Sequence, residues 1–171
     1  KKLKSLDIGN TCFLIGAFLI GSALPFGILF LFASLLISIF KNKYYFFRDK
    51  WNYPFIFISI VLLVSATTNF LNPFFIGQNK YDHSSILIDL FNWIPFFICF
   101  WGFQPYLKSE KQRLNFIKAI IAGSIPILIS CILQFWFKIY GPFDLLNGLV
   151  VWFQRSPQED GGVSGLFSNQ N

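Results

Sequence analysis

Ile8-Gly-Asn-Thr-Cys-Phe-Leu-Ile-Gly-Ala-Phe-Leu-Ile-Gly-Ser-Ala-Leu-Pro-Phe-Gly-Ile-Leu-Phe-Leu-Phe-Ala-Ser-Leu-Leu-Ile-Ser-Ile-Phe40 is apolar almost throughout. Lys1, Lys2 and Lys4 precede it, and Lys41, Lys43, Arg48 and Lys50 follow it. Length alone allows one long helix or two short ones, so the flanking charge decides. Basic loops stay on the cytoplasmic side of a membrane. Both flanks are basic, so the chain must cross an even number of times between them. A helical hairpin turning near Gly21–Pro25 meets that condition. A re-entrant pair keeps the same parity, and the shortness of the two arms leaves it open.

The rest of the chain agrees with this class. Of 171 residues, 54% are hydrophobic and only 13% are charged, about half the charged share of a soluble domain. Too few polar residues remain to clothe a soluble surface, and a multi-span all-α membrane protein is the consistent reading. The net charge of +6 then belongs to loops facing lipid and cytoplasm. No basic stripe lies interleaved with aromatics on a polar background, so nucleic acid is not an expected partner. Cys12, Cys99 and Cys131 fall inside apolar stretches without CxxC or Cys/His spacing. They read as small buried apolar residues rather than disulfide or metal ligands. The N-terminal lysines before an apolar run look like a signal peptide. Ser22-Ala-Leu-Pro25 leads straight into another apolar run, which favours a retained membrane segment. The missing initiator Met, and a motif that stops at Asn171, read as the N-terminal portion of a longer chain.

Five apolar segments emerge, near Ile8–Gly21, Pro25–Phe40, Pro54–Asn69, Ser85–Trp101 and Ala119–Phe137. A spanning helix needs about 20 residues. The last three meet that length with their interfacial residues, and the first two are short. Alternate crossings leave Leu71–Ser84 outside, Phe103–Asn115 inside and Ile139–Asn171 outside. Eleven basic residues then lie at the inner side and three (Lys80, Lys138, Arg155) at or beyond the outer rim. The expected location is a bacterial plasma membrane with the N-terminus cytoplasmic. Tyr44, Tyr45, Trp51, Tyr53, Trp93, Trp101, Trp136 and Tyr140 cluster near segment ends, where amphipathic rings favour the interface. Pro95 and Pro126 predict kinks. Two regions follow: membrane segments over 1–138, and an outer loop over 139–171 leading into another segment. Within that loop Leu145, Leu146, Leu149, Val150, Trp152 and Phe153 predict an interfacial helix on the outer leaflet. Arg155–Gly162 reads as a polar, turn-rich loop.

Few residues carry chemistry. Asp89 sits about one turn into the fourth segment, where ionisable residues are functional candidates. A carboxylate at a helix N-terminus is the plainer reading. His83 is the lone histidine and has no partner set for a metal or a triad. Lys118 and Lys138 bound the fifth segment and suit headgroup contact. Ser65, Thr67, Thr68 and Asn69 form a polar patch of the kind that bonds between helices. Arg155 is the one arginine expected outside, and its planar, always-charged fork suits phosphate or pyrophosphate. A rim arginine on lipid headgroups is the bland alternative. No Walker loop, zinc spacing, HExxH motif, Ser/His/Asp set or paired carboxylate is present.

Gly165-Leu-Phe-Ser-Asn-Gln-Asn171, preceded by Gly161-Gly-Val-Ser, resembles a motif of the bacterial O-antigen ligase and polymerase family. Members commonly carry a Gly-x-Phe-x-Asn-Pro-Asn run that opens a membrane helix after an outer loop. Trp93-Ile-Pro-Phe-Phe and Phe100-Trp-Gly-Phe-Gln-Pro-Tyr-Leu107 also look like cyanobacterial members. The resemblance implies a plasma-membrane glycosyltransferase that moves a glycan from an undecaprenyl-pyrophosphate carrier to an acceptor on the outer face. It implies no metal, cofactor or nucleotide sugar, because the lipid pyrophosphate is the leaving group. Arginines would neutralise its charge and a histidine in a later outer loop would act as base. Gln170 stands where Pro is usual, and Val163 where several members are basic. The residues carried over are Arg155 as a carrier-phosphate contact, and Asn169 and Asn171 where the following helix opens. The competing classes are a transporter (some cyanobacterial relatives carry a bicarbonate-transport label), with helices broken at Pro95 and Pro126 beside Asp89, and a membrane assembly component without chemistry.

Overall fold

A computed structural model describes residues 2–42, 49–71, 83–156 and 162–167. They form five helices and one small ribbon: α1 Lys2–Leu19, α2 Leu24–Asn42, α3 Tyr53–Leu71, α4 His83–Phe103, α5 Glu110–Phe135, β1 Phe143–Leu145 and β2 Val150–Trp152. Three stretches are long and apolar enough to cross a membrane: Leu24–Lys41, Lys50–Thr68 and Glu110–Phe135. A shorter apolar helix covers Ile8–Leu19. The surface inverts the soluble pattern, in which most large apolar side chains are inside. Phe32, Phe40, Phe57, Ile121 and Leu128 are each more than half exposed, while Ser34, Ser130 and Gln134 are buried.

The chain gathers into two units, 1–37 with 105–171 and 38–104. In the first, the long apolar stretch is divided as its charge flanks predict. α1 stops at Leu19, and the N–H groups of Ser22 and Ala23 close the turn onto Leu19 O at 3.1 and 2.7 Å. α2 then starts at Leu24, with Pro25 in the first turn, where a missing N–H costs nothing. The two arms lie close: a Cβ on Gly16 would sit 2.9 Å from the backbone N of Leu31.

α5 packs along α1. Phe13 stacks on Phe116 at 5.0 Å, a Cβ on Gly123 would run into Phe18 O, and one on Gly21 would sit 2.9 Å from Ile127. Contact positions rise together along both helices, so α1 and α5 run parallel and both begin at one end of the unit. Tyr106 closes that end. It is 1% exposed, stacks on Phe13 at 5.4 Å, and donates its hydroxyl to Ser34 O at 2.8 Å. Gly9 makes room for it, since a Cβ there would collide with the Tyr106 hydroxyl. Burial, and secondarily Cys12, pushes the Tyr106 hydroxyl up to about 12.

Several boundaries differ from those read in the sequence. α5 begins nine residues before Ala119, at Glu110. The cause is a capping box: Ser109 Oγ accepts from Gln112 N at 3.2 Å, and Ser109 N donates to Gln112 Oε1 at 3.0 Å. Two orphan donors are satisfied at once, so the polar run Glu110–Lys118 stays helical. α4 and α5 both continue helical through Pro95 and Pro126. Thr67 and Thr68 turn their hydroxyls onto Val64 O and Ser65 O of their own helix, at 2.9 Å each, rather than across to another.

The expected interfacial helix at 145–153 is not formed. Phe143–Trp152 is an antiparallel hairpin with Leu145 opposite Val150. Asn147-Gly148 is the strongest short hairpin-turn signal, and Leu146, Asn147 and Gly148 take φ of 52°, 57° and 86°. Val150-Val151-Trp152 supplies β-branched and aromatic residues that suit a strand.

In the second unit, Asp49 Oδ1 accepts from Trp51 N at 3.1 Å and caps a short 3-10 turn before α3. Phe55 packs on Phe97 and Phe100 at 5.3 and 4.8 Å. Buried Asn52 accepts from Gln104 Nε2 at 3.1 Å, tying the two ends of this unit's helical pair. The Asp89 and His83 side chains, and Tyr44, Tyr45, Lys80 and Asp82, lie outside the described portion.

Candidate site at the C-terminal end of α5

α5 outlasts its neighbours. Ile127 lies beside Gly21 at the α1–α2 turn, and the helix continues to Phe135, about 12 Å further at 1.5 Å per residue. The hairpin and residues 162–167 fill the space beside this overhang. Trp152 Nε1 donates to Ser22 O at 2.8 Å, which seats the ribbon on the α1–α2 turn.

A buried polar network does the joining. Gln134 is fully buried although Ile132, Phe135 and Trp136 around it are exposed. Its Nε2 donates to Arg155 O at 3.0 Å and to Ser164 Oγ at 2.8 Å. Its Oε1 accepts from Gly165 N at 2.8 Å. Gln154, at 2% exposure, mirrors it: Oε1 accepts from Ser130 Oγ at 3.0 Å, and Nε2 donates to Ile139 O at 2.8 Å. Arg155 N donates to Ser164 Oγ at 3.0 Å. Irregular backbone beside an apolar helix needs such partners, because each unmet buried group costs about 1–3 kcal/mol. Gln154 has φ 38°, a strained value that persists only where surroundings over-determine it. Two amide bonds provide that here.

The network delivers two of the sequence features to one place. Arg155 and the first motif residues, Gly165–Phe167, are held on either side of Ser164. Gly165 has φ +60° and lies against α5, where a Cβ would sit 3.2 Å from Cys131 Sγ. The positive φ favours glycine here, and a Cβ would also be a tight fit against Cys131. Cys131 is a free thiol at this contact. The Arg155 backbone is pinned, while its side chain is exposed with Cζ 5.6 Å from the Phe153 ring centroid. Lys138 Nζ lies 5.7 Å from the Phe135 ring centroid. Stacking on an aromatic face holds a cation without neutralising it. Asp144 is the exposed carboxylate of the ribbon. Asn169 and Asn171 lie outside the described residues.

This end carries two exposed cations, Arg155 and Lys138. Among the described residues no group of three His, Cys, Asp or Glu could hold a metal ion. Gln134, Gln154, Ser130 and Ser164 did not stand out in the sequence. The available signal was a lone amide inside Ile132-Leu-Gln-Phe-Trp-Phe137: a polar side chain in an apolar helix needs a partner. No protein-family model, curated protein or solved structure matches this chain.

Proposed function

We propose that this chain is part of a polytopic membrane glycosyltransferase that transfers or polymerises a glycan from an undecaprenyl-pyrophosphate carrier at the outer face of a bacterial plasma membrane. In this reading α1 and α4 are membrane segments alongside the three longer candidates, the α1 N-terminus is cytoplasmic, and the cap on α5 faces outward. The observation that carries it is the bond from Gly165 N, the first residue of the motif, to Gln134 Oε1, next to an Arg155 whose backbone is fixed and whose guanidinium, among the described residues, has the Phe153 ring as its partner. A planar fork can take two phosphate oxygens at once. Asn169 and Asn171 belong to the same motif and are proposed to lie where the next helix opens. No cofactor is needed, because the pyrophosphate carrier is itself the leaving group. The alternative is a transporter, with Pro95 and Pro126 inside α4 and α5 as the places where a path could open.

The test is a strain lacking the protein, scored for surface glycan and for glycan retained on the lipid carrier. Surface glycan should fall and carrier-linked glycan should accumulate. Complementation with Arg155→Ala should restore transfer poorly, by about tenfold or more below the parent, the worth of a charge-assisted hydrogen bond. Unchanged glycan in the null strain would remove this function.

A further inference from the structure

The second unit carries a cavity of its own at the start of α3. Local bonds set its walls. Asp49 Oδ1 accepts from Trp51 N in the short turn before α3. Gln104 Nε2 donates to Asn52 Oδ1 and keeps the chain after α4 at that turn. Phe55 packs on Phe100. The space left among Asp49, Trp51, Pro54, Phe55, Phe100 and Gln104 is about 390 Å³, near the lower end of the usual range for ligand pockets, roughly 300–1,000 Å³.

The chemistry of the wall is one-sided. Three aromatic rings and a proline supply its apolar faces, and no cation is among the six residues. Asp49 is half-buried. Among the described residues its one hydrogen bond comes from Trp51 N, and it has no ion pair. A carboxylate has about four acceptor sites, so most of its capacity is unspent. Gln104 spends its N–H on Asn52 and keeps its carbonyl as a second acceptor. Aromatic faces attract cations and are the usual means of recognising organic ammonium groups. A carboxylate drawn partly out of water favours the same partner. An anion would meet acceptors alone. A metal ion would find too few ligands, since among the described residues no group of three His, Cys, Asp or Glu could hold one.

The place of the cavity in the fold gives the source of the ammonium. It lies at the start of Lys50–Thr68, a stretch long and apolar enough to cross a membrane, and Trp51 is 80% exposed there. A tryptophan at the end of such a stretch marks the headgroup level. A second cavity of about 310 Å³, with Ile60 and Ile94 in its wall, has no charged residue and selects no headgroup.

We propose that the cavity at the start of α3 binds the ammonium of an amine-bearing phospholipid, of the phosphatidylethanolamine class, with Asp49 as counter-ion and Trp51 as an aromatic face. The proposal rests on the membrane reading of α3 and is independent of the glycan chemistry.

Lipid retention tests it. The full chain is purified in detergent and given equal amounts of phosphatidylethanolamine and phosphatidylglycerol, and the lipids kept are counted by native mass spectrometry. The parent should keep phosphatidylethanolamine in preference. Asp49→Asn removes the charge but keeps the cap, because Asn caps as well as Asp. The preference should then fall about threefold, the worth of a partly exposed ion pair. Trp51→Ala should lower it about twofold through the lost cation–π contact. Asp144→Asn should leave it unchanged, with helix content constant throughout. Equal retention of the two lipids by the parent, or a preference that survives Asp49→Asn, overturns the site. An equal fall in Asp144→Asn would trace the preference to net charge and overturns it too. Displacement of the lipid by water-soluble glycerophosphoethanolamine at equal concentration would make the occupant a soluble amine and overturn the lipid assignment. A chain that stays in solution without detergent overturns the membrane reading and the proposal with it.

Discussion

Gln134 shows how one side chain can decide the arrangement of an otherwise apolar end. It makes three hydrogen bonds, to Arg155 O, Ser164 Oγ and Gly165 N. Removing it strands a buried N–H and a carbonyl, at about 1–3 kcal/mol each. Gln134→Leu keeps α5 apolar and of similar volume, so the helix should persist while the cap loosens. Limited proteolysis should then cut near Arg155–Gly162 faster than in the parent protein, with helix content unchanged. Equal cleavage rates would show that the amide is dispensable. Tyr106 gives a second prediction at this scale. Its hydroxyl is raised from 10.0 to about 12 by burial, so the folded state favours the neutral phenol. That stabilisation is complete below pH 10 and is lost as the pH rises through about 12. Tyr106→Phe removes both the bond to Ser34 O and this dependence, and should cost about 1 kcal/mol at neutral pH. Thermal unfolding across pH 9–12 in detergent, with phenolate absorbance, reads both effects. A Tyr106 that ionises with the exposed tyrosines would contradict the buried geometry.

At the scale of elements, α1 and α5 meet through absent side chains. Gly123 brings the α5 backbone onto Phe18 O of α1. Close approach through small residues is how apolar helices associate where no hydrophobic force separates helix from lipid. Gly123→Val must push the helices apart, and overpacking of this kind costs about 1–3 kcal/mol. The measured consequence should be a lower melting temperature in detergent, with the Phe13–Phe116 and Phe13–Tyr106 stacks loosened. An unshifted melting temperature would mean that the helices part freely. The ribbon illustrates the opposite case, in which local chemistry overrode an amphipathic pattern. Leu145, Leu146, Leu149 and Val150 fit a helical face, but Asn147-Gly148 supplies the positive φ of a hairpin turn, and Val150-Val151 prefers the pleat.

At the scale of the molecule, α1 and α5 start at the same end of their unit, and the cap sits at the other. The start of α1 at Lys2 and the Lys108–Lys118 block thereby lie away from Arg155. If α5 crosses a membrane, the basic block before it and the cap after it must lie on opposite sides. Single cysteines at Lys111 and Gly162, in a background lacking the three native thiols, should differ in intact cells. An impermeant maleimide should label Gly162→Cys and spare Lys111→Cys until the cells are opened. Labelling of both from outside would break the sidedness that the positive charge implies.

The sequence by itself determined where most of the apolar helices lie and that Ile8–Phe40 divides near Gly21–Pro25. Those features depend on composition, charge blocks and local punctuation, which act over a few residues. Only the tertiary structure decided what holds Arg155 beside the motif. Gln134 and Ser164 are 30 residues apart in the chain, and Trp152 and Ser22 are 130 apart. A single glutamine in an apolar run declares that it needs partners, but the partners are chosen by packing. The parallel course of α1 and α5 was likewise invisible locally, because it is set by the fit of Gly123 against Phe18 and of Tyr106 against Gly9, contacts that exist only once the helices are side by side.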